Sequence, residues 1–162
     1  MNSEENKNMP QKVRLEELLP FIEAAFENGQ TFTIPITGTS MLPMLVEGRD
    51  KVEVAKAQLP LKVGDLPLYR RKNGAFVLHR IVDIENGTYT MSGDNQFLLE
   101  KGVTDEQIIG ITVAFTQNGK KIAVTDDDYL AYSSKMVNNY KTRYPLRRLR
   151  HAVGNVIKGV IR

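Results

Sequence analysis

From Leu15 to Phe26, apolar residues recur at helical spacing. Leu15, Leu18, Leu19, Ile22, Ala25 and Phe26 form one stripe, with Glu16, Glu23 and Glu27 opposite. This pattern predicts an amphipathic helix closed by Asn28-Gly29. Pro20 falls inside it and, lacking an amide hydrogen, is expected to kink the helix or push its start later. The polar residues 1–11 carry no such stripe and are expected to be disordered.

After the helix the period shortens to that of strands. Thr31–Ile36, Lys51–Val54, Leu66–Arg70, Ala75–Ile84, Thr88–Met91, Ile108–Phe115 and Lys121–Val124 read as strands. Between them lie the turn signals Glu47-Gly48, Gly64-Asp65, Asn73-Gly74, Asn86-Gly87, Gly93-Asp94-Asn95 and Asn118-Gly119. The Asn-Gly pairs mark hairpins. Many short strands joined by tight turns predict a mainly β fold of coiled antiparallel sheets or a partial barrel, not a βαβ fold. Arg70, Arg71 and Lys72, ahead of Asn73-Gly74, read as a solvated hairpin tip.

From Tyr129 the pattern is helical again, in two pieces separated near Tyr144-Pro145. In the second piece Leu146, Leu149, Val153, Val156, Ile157 and Val160 share one face, while Arg147, Arg148, His151, Lys158 and Arg162 share the other. A basic amphipathic helix of this kind suits an anionic bilayer surface, and its apolar face equally suits packing on the domain. The chain thus divides into a disordered start (1–11), a β domain with its leading helix (12–128) and a basic helical tail (129–162).

Charge sharpens that division. The net charge of +3 is uneven: residues 129–162 hold eight Lys or Arg and no acid. The other 14 bases stand against 19 acids, leaving the first 128 residues at −5. Only the tail favours an anionic partner. Residues 1–30 are too short and too acidic for a helix-turn-helix, so no nucleic-acid partner is expected. The absence of cysteine excludes disulfides and thiolate metal sites, and with only two histidines, His79 and His151, no metal or other cofactor is expected. No run reaches the ~20 apolar residues of a membrane span, and the start of the chain lacks the order of a signal peptide. A cytosolic protein is expected, peripheral to the membrane where the tail meets it.

Candidate chemistry begins at Gly38-Thr39-Ser40-Met41-Leu42-Pro43. Glycine accepts backbone angles closed to other residues, so Gly38 lets the turn present Ser40. Pro43 suits the first turn of a short helix, which would leave the amides around Ser40 unpaired and able to hold an oxyanion. A lone turn serine is more commonly a cap. His79, in Val77-Leu78-His79-Arg80-Ile81, is the only histidine outside the tail, so a histidine base for the domain is this residue. Alternation places it on the face of Val77 and Ile81, with Arg80 opposite. Asp94, in Gly93-Asp94-Asn95, and Glu100, six residues on, are the carboxylates placed to orient it.

Five motifs occur in order: Gly38-x-Ser40-Met41-x-Pro43, Gly48-Arg49-Asp50-Lys51-Val52, Lys62-Val63-Gly64-Asp65, Val77-Leu78-His79-Arg80-Ile81-Val82 and Ser92-Gly93-Asp94-Asn95. The series, across residues 33–117, resembles the signal-peptidase-like serine peptidases, in the branch that uses Ser-His in place of Ser-Lys. The resemblance implies coiled antiparallel sheets with the serine at the edge of a groove. There a peptide lies as an added strand, with small side chains favoured before the cut. It implies Ser40 as nucleophile, His79 as general base, and Gly38, Met41 and Pro43 as supports of the serine loop and its oxyanion site. The branch's third member, an aspartate beyond Gly-Asp-Asn, corresponds to Glu100 here, which leaves that role open between Glu100 and Asp94.

The chain lacks the transmembrane anchor of secretory signal peptidases, so peptidase chemistry is implied more directly than secretory processing. The alternative is a non-catalytic peptide-binding module that keeps the groove. A self-cleaving repressor lacks its DNA-binding domain and its lysine base here.

Overall fold

A computed structural model describes residues 15–140. The segment expected to be disordered and the second piece of the basic tail lie outside them. The leading helix α1 spans Leu15–Glu27 and buries Ile22 and Phe26, worth about 1.5–3 kcal/mol each against exposure. Its start is not displaced by Pro20. That residue lies near the N-terminal end with its ring exposed, where the missing amide costs one early hydrogen bond.

Nine strands follow: β1 (Phe32–Pro35), β2 (Lys51–Ala55), β3 (Pro67–Arg70), β4 (Phe76–Leu78), β5 (Arg80–Glu85), β6 (Thr88–Ser92), β7 (Glu100–Val103), β8 (Ile108–Gln117) and β9 (Lys120–Ala123). A helix over 127–140, α2, ends the described chain. The molecule is mainly β, built on a strongly curled, half-barrel antiparallel sheet with a helix at each end of the described residues.

The larger sheet runs β1-β2-β8-β3-β4, with β9 also on β8. The ten residues of β8 make this possible: β2 takes Ile111–Thr116, while β3 pairs at its start and β9 at its end. Gly110 lets α1 settle on β8. A Cβ there would stand 2.8 Å from both the Ala55 carbonyl oxygen and the Phe26 ring. The smaller sheet runs β5-β6-β7.

The single strand expected over Ala75–Ile84 is two. β4 pairs with β3 in the larger sheet, β5 pairs with β6 in the smaller, and His79 sits between them. No glycine or proline marks this crossing, because the chain stays extended while it changes partners. β7 was not expected either: Glu100-Lys101-Gly102 has neither alternation nor strand-forming side chains, and its place is fixed by pairing with β6. There are two core clusters, and the second lies between the smaller sheet and β3, β4 and β8 of the larger one. Ile22, Phe26, Val52, Val54, Leu68 and Phe115 fill the first, and Leu61, Tyr69, Ile81, Tyr89, Met91 and Val103 the second. Helix α2 closes the first with Tyr129, whose ring packs 5.5 Å from that of Phe115.

Candidate active site

β1 delivers the chain to the serine loop. Gly38 takes a φ of +79°, and Ser40 follows in a run of turns over 40–44. The short helix expected at Pro43 does not form: a single helical bond, from the Leu45 amide to the Met41 carbonyl, is not continued. The loop is held from both sides instead. Beneath it Met41, Met44 and Leu45 are buried, and Gln117 Nε2 donates to the Met44 carbonyl at 2.7 Å. The buried Asp50 carboxylate accepts from the amides of Val46 at 2.8 Å and Asn118 at 3.3 Å, tying the loop's exit to the β8–β9 turn. Above it, the Asn95 amide donates to the Ser40 carbonyl at 2.9 Å, and Asn95 Nδ2 to the Thr39 carbonyl at 3.1 Å. Gly93 allows this approach, since a Cβ there would stand 2.6 Å from the Ser40 carbonyl oxygen. Among the described residues the Ser40 and Met41 amides donate to no protein acceptor.

Ser40 and His79 line one groove of about 840 Å³. β1 and β4, the outer strands of the larger sheet, form its walls, each with one edge unpaired among the described residues. Ile34, Ile36, Leu68, Phe76 and Leu78 make it largely apolar, with Arg71 and Gln96 as polar rim groups and Leu15 and Leu18 of α1 at one end. No hydrogen bond joins Ser40 to His79.

His79 is buried, with Nδ1 3.4 Å from the Tyr69 hydroxyl. That hydroxyl lies 2.7 Å from Glu100 Oε2, and Arg71 reaches the same oxygen through Nε and Nη2, both at 2.7 Å. Burial pushes the His79 pKa down to about 4. The Arg71 charge pushes the same way, and Glu100 and Asp94 oppose it. Burial also works against the Glu100 carboxylate, but Arg71 and Tyr69 outweigh it and leave its pKa below the usual value. The ring is therefore neutral and the carboxylate charged at neutral pH.

The two carboxylates have different company. Glu100 connects to His79 through Tyr69. Asp94 is committed elsewhere: Arg80 Nε and Nη2 reach its two oxygens at 2.9 and 2.8 Å, and the Tyr132 hydroxyl donates to it at 3.1 Å. Both side chains of this ion pair are buried, at 0% and 2% exposure. Arg80 Nη1 also donates to the Gly64 carbonyl, Tyr129 and Ser133, so every charged face is partnered. Arg80 thus ties the strand after His79 to the turn that holds Ser40, and α2 closes the back of that tie.

Tyr69 and Arg71 carried no direct functional signal in the sequence, and Arg71 is no solvated tip: it is paired with Glu100 on the groove's rim. The signal for Tyr69 was indirect. Folding the chain at Asn73-Gly74 sets Tyr69 opposite Val77, and His79 then stands two residues along the same face. Among the described residues no group of three or more acidic or histidine side chains could hold a metal ion. No protein-family model matches this chain, and no curated protein sequence matches it.

Proposed function

We propose that this chain is a serine endopeptidase of the signal-peptidase-like kind, cutting an extended segment of a peptide or protein. One observation carries the reading: Ser40 and His79, far apart in sequence, line the same groove between two strand edges that are unpaired among the described residues. An extended peptide adds to such an edge through its own main-chain hydrogen bonds, and apolar walls accept its side chains. The Ser40 hydroxyl attacks the scissile carbonyl while its proton passes to His79, and the pair closes when substrate fills the groove. The amides of Ser40 and Met41, unpaired among the described residues, supply donors for the oxyanion. His79 then protonates the leaving amine, and water releases the acyl group by the same steps in reverse. Asp94 acts through Arg80, holding the serine loop against the histidine strand, whereas Glu100 acts on the histidine.

The test is cleavage of a peptide panel, with labelling of Ser40 by a fluorophosphonate. Ser40→Ala is expected to abolish both and leave the fold intact. Cleavage by that variant at the parent's rate refutes the assignment. A non-catalytic peptide-binding module is the second reading, favoured by the missing Ser40–His79 hydrogen bond and the low basicity of His79. Peptide binding without any labelling of Ser40 decides for it. A cytosolic position, at the membrane's inner face through the basic tail, goes with either reading. Among the described residues no helix is long and apolar enough to cross a membrane.

A further inference from the structure

We infer that Tyr69 is a positioning residue that fixes the tautomer of His79, standing between that ring and Glu100 where a peptidase triad would place the carboxylate directly on the histidine. The inference rests on the peptidase reading for its purpose, but not for its geometry.

Tyr69 is wholly buried, and its hydroxyl has one hydrogen and two lone pairs to place. Glu100 is ionised, held so by the two nitrogens of Arg71, and an ionised carboxylate only accepts. At 2.7 Å the hydroxyl hydrogen therefore belongs to Glu100. What Tyr69 turns to His79 is a lone pair, 3.4 Å from Nδ1. A lone pair there favours hydrogen on Nδ1. A neutral imidazole carries one such hydrogen, so Nε2 is left as the basic nitrogen. Burial raises the Tyr69 pKa far above its ordinary value and Glu100 raises it further, so the phenol keeps its proton.

In the reaction the Ser40 proton moves to Nε2. The imidazolium keeps its Nδ1 hydrogen pointed at Tyr69, whose oxygen is made more electron-rich by its bond to Glu100. No proton reaches Glu100. The groups that face the ring electrostatically are Arg71, which opposes its charge, and Glu100 and Asp94, which favour it.

Ring-nitrogen NMR of the full chain at neutral pH tests this without any catalytic assay. There are only two histidines, and His151→Asn leaves His79 as the sole signal. The expected spectrum has hydrogen on Nδ1 and a bare Nε2. In Tyr69→Phe, which keeps the ring packing, the hydrogen shifts toward Nε2 and fluorophosphonate labelling of Ser40 slows by about tenfold or more. Glu100→Gln slows labelling of the parent, and by clearly less once Tyr69→Phe is present, because its hydrogen-bonded path to the ring is gone and only its charge still acts. Hydrogen on Nε2 in the parent, or an unchanged tautomer in Tyr69→Phe, overturns the inference. If Tyr69→Phe does not fold, the tautomer in Glu100→Gln decides: an unchanged ring with an unchanged pKa overturns it. A parent that is never labelled sinks the peptidase reading, and the ring spectrum still decides on Tyr69.

Discussion

At His79 two demands conflict. A base buried beside Arg71 loses proton affinity, and the same burial excludes the water that would compete for it. With its pKa near 4 the ring stays in the base form through most of the acid range. The acid limb of Ser40 labelling is therefore expected near pH 4, not near the 6.5 of a free imidazole. Arg71→Gln removes a charge that repels the proton, so this limb moves upward; a downward or absent shift contradicts the assigned cause. Stability follows the same sign. Between about pH 4 and 6.5 the unfolded chain binds the His79 proton and the folded chain does not, so stability is full above 6.5 and falls as pH drops toward 4. Gly93 makes a second demand at this scale. Gly93→Ala places a methyl against the Ser40 carbonyl and displaces the loop, with about 1–3 kcal/mol lost in urea unfolding and labelling slowed by more than that loss explains.

At the scale of elements, the crossing from β4 to β5 puts neighbouring side chains to opposite uses. His79 faces the groove, and Arg80 enters a buried ion pair with Asp94 backed by α2. Removing one partner leaves a charge buried without compensation. Asp94→Ala is therefore expected to cost about 3–5 kcal/mol in urea or thermal unfolding. Glu100→Gln, at a part-exposed pair, is expected to cost about 1 kcal/mol or less. Equal costs would remove the distinction between a structural Asp94 and the role proposed for Glu100. The sequence placed Arg80 opposite His79 by alternation, but not its burial, because α2 returns to cover that face from more than forty residues away.

Across the whole molecule the charge asymmetry remains: residues 141–162 hold seven Lys or Arg and no acid, beyond a predominantly acidic domain. The chain is expected to bind vesicles of anionic lipid weakly, and to lose them as salt rises through the range that screens exposed charges. Equal binding to neutral and anionic vesicles, or none, leaves the basic segment without a lipid role.

Local pattern alone determined the amphipathic α1, most of the strands, the hairpin turns and the mainly β class, because side-chain period and turn residues act on near neighbours. It also singled out Ser40 and His79, through short motifs and the scarcity of histidine. Only tertiary structure decided which carboxylate connects to the imidazole, because Tyr69 and Arg71 come from the β3–β4 hairpin of the larger sheet and Glu100 from the smaller, and they meet only where the two sheets pack together. The break of the strand at His79 was decided in the same way: an extended backbone has the same local energy in either sheet, and only its partners tell the two apart.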